Sequence, residues 1–229
     1  MPGTLLCRGR ALRYSHRMRG DVDRILIPQE RIAQRVRELA ERINADLARD
    51  ARDNGTEGES LGSGSVSGSG ATAGGEITIV PVLTGAMIFC ADLIRHIPIA
   101  MRIGLLAVSS YPGRSLRTQG SQLLGQQLGD LTGRSVLLVD DILDSGGTLR
   151  MVQSLLEKSG AARVRSCVLL RKDRPAARDV HVDYVGFEIP DQFVVGYGLD
   201  FNNYYLNLPD IVTLTAEAVD GRRERTVTA

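Results

Sequence analysis

The stretch Ser135-Val136-Leu137-Leu138-Val139-Asp140-Asp141-Ile142-Leu143-Asp144-Ser145-Gly146-Gly147-Thr148 decides the fold. An apolar run of strand type, Val136–Val139, ends in two adjacent carboxylates and passes at once into a Gly-rich turn. In an open α/β sheet, ligands bind beyond the carboxyl ends of the strands, and Asp140 and Asp141 are expected at such an end. Gly146 and Gly147 let the backbone aim several N–H groups at one anion, and a helix beginning near Thr148 adds the positive end of its dipole. That helix is legible in the recurrence of Leu149, Val152, Leu155 and Leu156, with Gly160 after Lys158 as its C-terminal cap. Carboxylates suited to sugar hydroxyls thus stand beside a phosphate turn, which reads as a site for a phosphorylated sugar. The lysine of a triphosphate-binding Gly-Lys-Ser/Thr loop is missing from the turn.

Working outward, apolar β-type runs at Ile77–Leu83, Ile99–Val108, Val164–Leu170 and Tyr184–Ile189 alternate with helical patterns at Glu30–Leu47, Ala86–His96 and Leu149–Lys158. Such alternation predicts one α/β domain, a mainly parallel central sheet flanked by helices. In the first helix Ile32, Val36, Leu39, Ile43 and Leu47 form the buried stripe, Pro28 is tolerated at the start, and Glu38 and Arg42 form an i,i+4 pair on the wet face. A chain of 229 residues with 43% hydrophobic content has enough apolar surface for a full core.

Residues 1–20 carry Arg8, Arg10, Arg13, Arg17 and Arg19 and no acid, and are expected to be a disordered basic extension, with Met18 a candidate initiator. Without them 23 basic residues face 27 acidic ones, a net charge of −4 that argues against a general nucleic-acid surface. Thirteen of the twenty-two residues from Asn54 to Gly75 are Gly or Ser, the composition of a flexible insertion. The domain is therefore placed at 21–215, with a flexible tail at 216–229. Cys7, Cys90 and Cys167 show no Cys-x-x-Cys spacing and suit a reduced, cytoplasmic setting. His16, His96 and His181 form no zinc pattern, and no apolar run approaches the ~20 residues of a membrane span.

The 135–148 segment resembles the phosphoribosyl-pyrophosphate signature of the type I phosphoribosyltransferases. A second segment, Val185-Gly186-Phe187-Glu188-Ile189-Pro190-Asp191-Gln192-Phe193-Val194-Val195-Gly196-Tyr197-Gly198-Leu199-Asp200-Phe201, is similar to the purine-binding region of the hypoxanthine and hypoxanthine-guanine members. Read alone, Pro190-Asp191 is a turn between two β-type runs and Phe193 a core residue. The Asp21–Ile27 segment, the turn Leu83-Thr84-Gly85-Ala86 and Ser109-Ser110-Tyr111 match the same layout in order, so the resemblance covers about residues 21 to 211.

The resemblance implies the type I fold with a small hood and a mobile loop, and Mg²⁺-dependent transfer of phosphoribosyl from 5-phosphoribosyl 1-pyrophosphate to N9 of hypoxanthine or guanine. By the same resemblance Asp140 and Asp141 bind the ribose hydroxyls, Ser145, Gly146, Gly147 and Thr148 hold the 5′-phosphate, and Asp144 is the acid/base at purine N7. Lys172 donates to the 6-oxo group, Phe193 stacks on the ring and the Val194 backbone reads the base edge. Asp200 joins Asp140 and Asp141 around Mg²⁺, Leu83, Thr84 and Gly85 border the pyrophosphate, and Ser110 and Tyr111 open the mobile loop. An ammonium has donors only, so Lys172 favours a 6-oxopurine over adenine. A homodimer or homotetramer is implied as well.

Two positions depart from the family pattern. Thr84 and Leu206 stand where basic residues are usual, and neither can neutralise a phosphate. Arg114 and Arg117 of the mobile loop are the candidate replacements. The departures leave open a purine-nucleotide-binding protein without turnover, or a regulator that keeps the fold and binds RNA.

Overall fold

The computed structural model describes residues 16–53, 76–109 and 122–220. The insertion 54–75, the loop carrying Ser110, Tyr111, Arg114 and Arg117, and both chain ends lie outside the described residues. In chain order the elements are α1 (His16–Asp21), β1 (Val22–Ile27), α2 (Gln29–Asp53), β2 (Ile77–Leu83), α3 (Met87–Ile94), β3 (Met101–Ile103), β4 (Leu105–Ser109) and β5 (Gln122–Gln127). They continue as β6 (Ser135–Leu143), α4 (Gly147–Lys158), β7 (Arg163–Lys172), α5 (Pro175–Arg178), β8 (Tyr184–Ile189) and β9 (Ile211–Leu214).

Strands β2, β4, β6, β7 and β8 are parallel and β5 closes one edge antiparallel, in the order β5-β4-β2-β6-β7-β8. This is the expected mainly parallel sheet with helices on its faces. On one face α2 and α3 bury Ile32, Leu39, Ile43, Phe89 and Leu93 against Ile79, Leu137, Val139 and Leu169. On the other, α4 buries Leu149, Val152 and Leu156 against Val136, Leu138 and Val168. At about 25 cal/mol per Å² of apolar surface removed from water, these two layers dominate the stability of the fold. The hood is a separate two-stranded sheet in which β1 pairs antiparallel with β9.

Several expectations need correction. The apolar run at Ile99–Val108 is two strands, both pairing with β2, interrupted at Gly104, whose N–H donates to the Ile79 carbonyl at 2.9 Å. A side chain at Gly104 would press on Val80 and Leu128, so the break is a close approach of backbone to core. Strand β6 does not stop at Val139: β7 offers partners as far as Arg171, so Asp140, Ile142 and Leu143 remain in the ladder and the acidic pair lies within the strand. Glu38 does not pair with Arg42. Its carboxylate takes Arg35 at 2.7 Å and Gln34 at 2.9 Å, while Arg42 lies over the Tyr184 ring. Helix α1 takes in the end of the segment expected to be disordered, because Met18 packs on the hood cluster of Val195, Tyr205, Leu208 and Val212. Residues 216–220 of the expected flexible tail are helical, with the Val219 N–H donating to the Thr215 carbonyl and Ala218 buried.

Candidate functional site

Three segments converge at the carboxyl ends of β2, β6, β7 and β8. The first is β6 and the turn behind it. Asp140 is 6% exposed, and its Oδ1 accepts the N–H of Asp141 at 3.0 Å; Asp141 Oδ1 in turn accepts the N–H of Ile142 at 2.7 Å. Burial pushes both carboxyls above the usual range, Asp140 further by the neighbouring Asp141 charge and Asp141 by that of Asp200. Asp140 is buried and Asp141 half-buried, and among the described residues no salt bridge joins either to a cation, an arrangement that is costly in an apolar sheet and that points to ligand oxygens or a cation.

The turn after β6 is built for an anion. Gly146 caps α4 from the left-handed region, φ +78°, and a Cβ there would lie 2.3 Å from Val180 Cγ2. Only glycine meets both demands, and the 12-residue helix α4 starts directly behind this turn, its positive dipole end toward it. Arg150 reaches back from the helix, its guanidinium donating to the Ser145 carbonyl at 3.2 Å.

The second segment is the turn Leu83-Thr84-Gly85, entered through a cis Leu83–Thr84 peptide. It is packed between the acidic pair and the Gly196–Gly198 turn. A Cβ on Gly85 would lie 1.9 Å from Asp141 Oδ2, and one on Gly198 would lie 2.3 Å from the Gly85 carbonyl oxygen. Thr84 is exposed on this turn.

The third segment joins the ends of β7 and β8, which run in register with Lys172 opposite Ile189. Residues that follow these two strands therefore meet at one corner of the sheet. There Lys172 Nζ lies 3.2 Å from Asp144 Oδ2 and 3.5 Å from Asp191 Oδ1, while Arg174 pairs with Asp144 and its Nε lies 3.5 Å from Asp191 Oδ2. Partial burial raises the Asp144 carboxyl, but the Arg174 and Lys172 charges outweigh it and hold the group below the ordinary carboxylate range. A lysine at a strand end reads as solvated surface; this side chain is 11% exposed.

Phe193, two residues past Asp191, is 48% exposed, its ring braced edge-on by Phe201 at a centroid distance of 5.3 Å, whereas Val194 next to it is buried. The exposed ring is not the core residue that the segment read alone suggests. Asp200 follows on a tight turn, its Oδ2 accepting the Asn203 N–H at 2.7 Å. Leu206 presents its carbonyl to the Gly198 N–H at 3.0 Å.

The structure thus gathers Asp140, Asp141, Asp144, Ser145–Thr148, Lys172, Phe193 and Leu83–Gly85, and leaves Ser110 and Tyr111 outside the described residues. Asp140, Asp141 and Asp200 do not form a protein-only cation cage: among the described residues no three His, Cys, Asp or Glu side chains gather at metal-binding spacing. Sequence reasoning missed Arg174 and Asp191. Their signal was the charge run Arg171-Lys172-Asp173-Arg174 after one strand and Pro190-Asp191 after its neighbour.

Comparison with known proteins agrees with this geometry. A family model described as phosphoribosyl transferase domain matches residues 23–202. The hypoxanthine-guanine phosphoribosyltransferase of Mycobacterium avium is 40% identical over 198 residues, covering 85% of this chain and 87% of the relative. The enzyme of the same name from Aquifex aeolicus is 34% identical over 195 residues, covering 85% and 96%. A solved hypoxanthine-guanine phosphoribosyltransferase from Bacillus anthracis, with a HEPES molecule in its active site, superposes with TM-score 0.67 at 34% identity, covering 85% of this chain and all of the other. A Trypanosoma cruzi hypoxanthine phosphoribosyltransferase in complex with the product IMP gives TM-score 0.69 at 28% identity, covering 90% and 97%. Since the matched span holds the acidic pair, the phosphate turn and the corner formed by β7 and β8, the chain belongs to the phosphoribosyl transferase family.

Proposed function

We propose that the protein transfers the phosphoribosyl group of 5-phosphoribosyl 1-pyrophosphate to N9 of hypoxanthine and guanine, a purine-salvage reaction. One observation carries the substrate class: the Lys172 ammonium and the Asp144 carboxylate stand 3.2 Å apart, and Phe193, two residues past the Asp191 that also meets Lys172, is exposed. On a 6-oxopurine the O6 acceptor and the N7–H donor are about 3 Å apart, one hydrogen-bond length, so a donor and an acceptor at this separation match both edges at once. Adenine would turn its 6-amino donor toward the ammonium and leave both unpaired.

The residues divide the work. Phe193 holds the ring, Val194 offers backbone to its edge and Lys172 fixes its orientation. The α4 N-terminus behind Ser145-Gly146-Gly147-Thr148 takes the 5′-phosphate, and Asp140 and Asp141 take the ribose hydroxyls. As N9 bonds to C1′ and the C1′–O bond to pyrophosphate breaks, the purine gains positive charge, and Asp144 receives the N7 proton. An ionised, oriented carboxylate is what that step needs. The buried acids Asp140 and Asp141, with the Asp200 charge felt at Asp141, suit Mg²⁺ held jointly by carboxylate and substrate oxygens. When bound, Mg²⁺ would neutralise charge on the leaving pyrophosphate. Arg114 and Arg117 supply the charge missing at Thr84 and Leu206, and the assembly is a homodimer or homotetramer.

The test is a steady-state assay of the purified protein with 5-phosphoribosyl 1-pyrophosphate, Mg²⁺ and each purine in turn. Turnover of hypoxanthine and guanine but not adenine is expected, with Lys172→Ala weakening 6-oxopurine use by about 1.5–3 kcal/mol. Nucleotide binding without turnover would replace the enzyme by a purine-nucleotide sensor. Light scattering on the same preparation checks the oligomer.

A further inference from the structure

The corner formed by β7 and β8 contains one more cation than base recognition requires. Lys172 alone could donate to O6 and sit against Asp144, yet Arg174 duplicates both of its ionic contacts, touching Asp144 and Asp191 as Lys172 does. Two cations and two carboxylates thereby close a ring. Their placement differs: the Lys172 side chain is 11% exposed and lies inside, while that of Arg174 is 38% exposed and backs the ring from solvent. The flanking cations are engaged elsewhere, Arg171 with Glu188 and Arg178 with Asp173.

An ammonium has three N–H donors. In the ring, two of them face carboxylates and one is left for a purine oxygen. Without Arg174, Lys172 would be the lone counter-ion of two carboxylates, and its pull toward them would compete with O6. We propose that Arg174 is a positioning and specificity-determining residue: by sharing Asp144 and Asp191 it releases Lys172 toward the 6-oxo group and keeps the Asp144 carboxylate aimed at N7. Arg174 touches no reacting atom. Asp191 is the competing acceptor that makes this sharing necessary. The inference rests on the purine reading above and deepens it.

The backbone permits a clean test. Arg174 caps α5 in extended conformation, φ −143° and ψ 149°, with no side-chain capping bond, so its replacement leaves the start of that helix intact. In the full chain, Arg174→Ala should raise KM for hypoxanthine about tenfold and leave KM for 5-phosphoribosyl 1-pyrophosphate within about twofold, the scale of one charge-assisted hydrogen bond. Arg174→Gln should behave like Arg174→Ala, and Arg174→Lys should restore most of the loss. The deciding variant is the double change Arg174→Ala with Asp191→Asn, in which hypoxanthine KM should fall back toward wild type because the competing charge is gone. A purely structural role for Arg174 would not be relieved by removing Asp191, and thermal unfolding of each variant checks that the fold persists. An unchanged hypoxanthine KM in Arg174→Ala, an equal rise for both substrates, or no recovery in the double variant overturns the proposal while wild-type turnover stands. Wild-type protein that uses no 6-oxopurine overturns the purine reading and this inference together.

Discussion

A methyl group added to Gly85 would lie 1.9 Å from Oδ2 of Asp141, closer than two unbonded atoms approach. The Leu83-Thr84-Gly85 turn and the acidic pair are therefore fitted to each other at one atom. Gly85→Ala must displace the Asp141 carboxylate or the turn by about 1 Å, a misplacement that lowers catalysis by up to roughly 10²-fold. The expected result is a kcat/KM for 5-phosphoribosyl 1-pyrophosphate reduced about 10- to 100-fold in a protein that still unfolds cooperatively. Wild-type kinetics in this variant would mean that Asp141 plays no part in binding the ribose.

Asp144 offers a second test. Its carboxylate is held by Lys172 and Arg174, so Asp144→Asn removes the acceptor proposed for the N7 proton and unbalances the two cations together. Loss of a positioned general base costs about 10²- to 10⁴-fold in kcat. Binding of the nucleoside monophosphate product, followed by calorimetry, should survive. A kcat within a few-fold of wild type would move the acid/base role to another group.

Asp50 governs stability toward acid rather than activity. It joins α2 to β7, where the Arg165 guanidinium meets it at 2.9 Å and Arg163 also pairs with it. Hydrogen bonding by Arg165, against the opposing effect of burial, brings the Asp50 carboxyl down to about 2. A carboxylate lowered in the folded state adds stability above its unfolded value near 4, and that stability fades as pH falls toward 2. Allowing for solvent around Arg163, the contribution at neutral pH is about 1–2 kcal/mol. Denaturant unfolding should show Asp50→Asn less stable by that amount at pH 7, with the gap closing between pH 4 and pH 2. A gap independent of pH would place the effect in packing rather than charge.

Gly186 tests the edge of the sheet. A Cβ there would lie 2.3 Å from the Leu169 carbonyl oxygen, which is backbone and cannot rotate away. Arg35 of α2 holds the same strand, donating to the Gly186 carbonyl at 2.7 Å. Gly186→Ala should therefore cost about 3 kcal/mol, the upper part of the range for overpacking. Thermal unfolding within a degree of wild type would show that β8 has room to move.

Much of this architecture was legible because the central strands are continuous apolar runs. Ile77–Leu83 coincides with β2, buried on both faces, and Tyr184–Ile189 with the edge strand β8, whose burial alternates. Strand β5, Gln-Leu-Leu-Gly-Gln-Gln, is polar and glycine-interrupted, and it exists because it lies on the edge against β4. The hood strands are short and far apart in sequence, and no local pattern announces that they pair. In the site, the segment around Asp144 declared itself through its own glycines and acids. Arg174 and Asp191 did not, since each is an ordinary surface residue until the parallel register of β7 and β8 brings them to Asp144.

The pairing of β1 with β9 also sets an order of assembly. Val22 meets Leu214 across nearly the whole described chain, and Val195, just past the exposed Phe193, is bridged to Val212 on the same late strand. Contacts of such sequence separation form late, because a long loop must close before they contribute. During synthesis the phosphate turn behind β6 can be shaped while the ribosome is still working. The segment around Val195 waits for Ile211–Leu214 to emerge, so a nascent chain shapes the half of the site proposed for phosphate before the half proposed for the base. Limited proteolysis of stalled chains should find 135–158 protected earlier than 190–201.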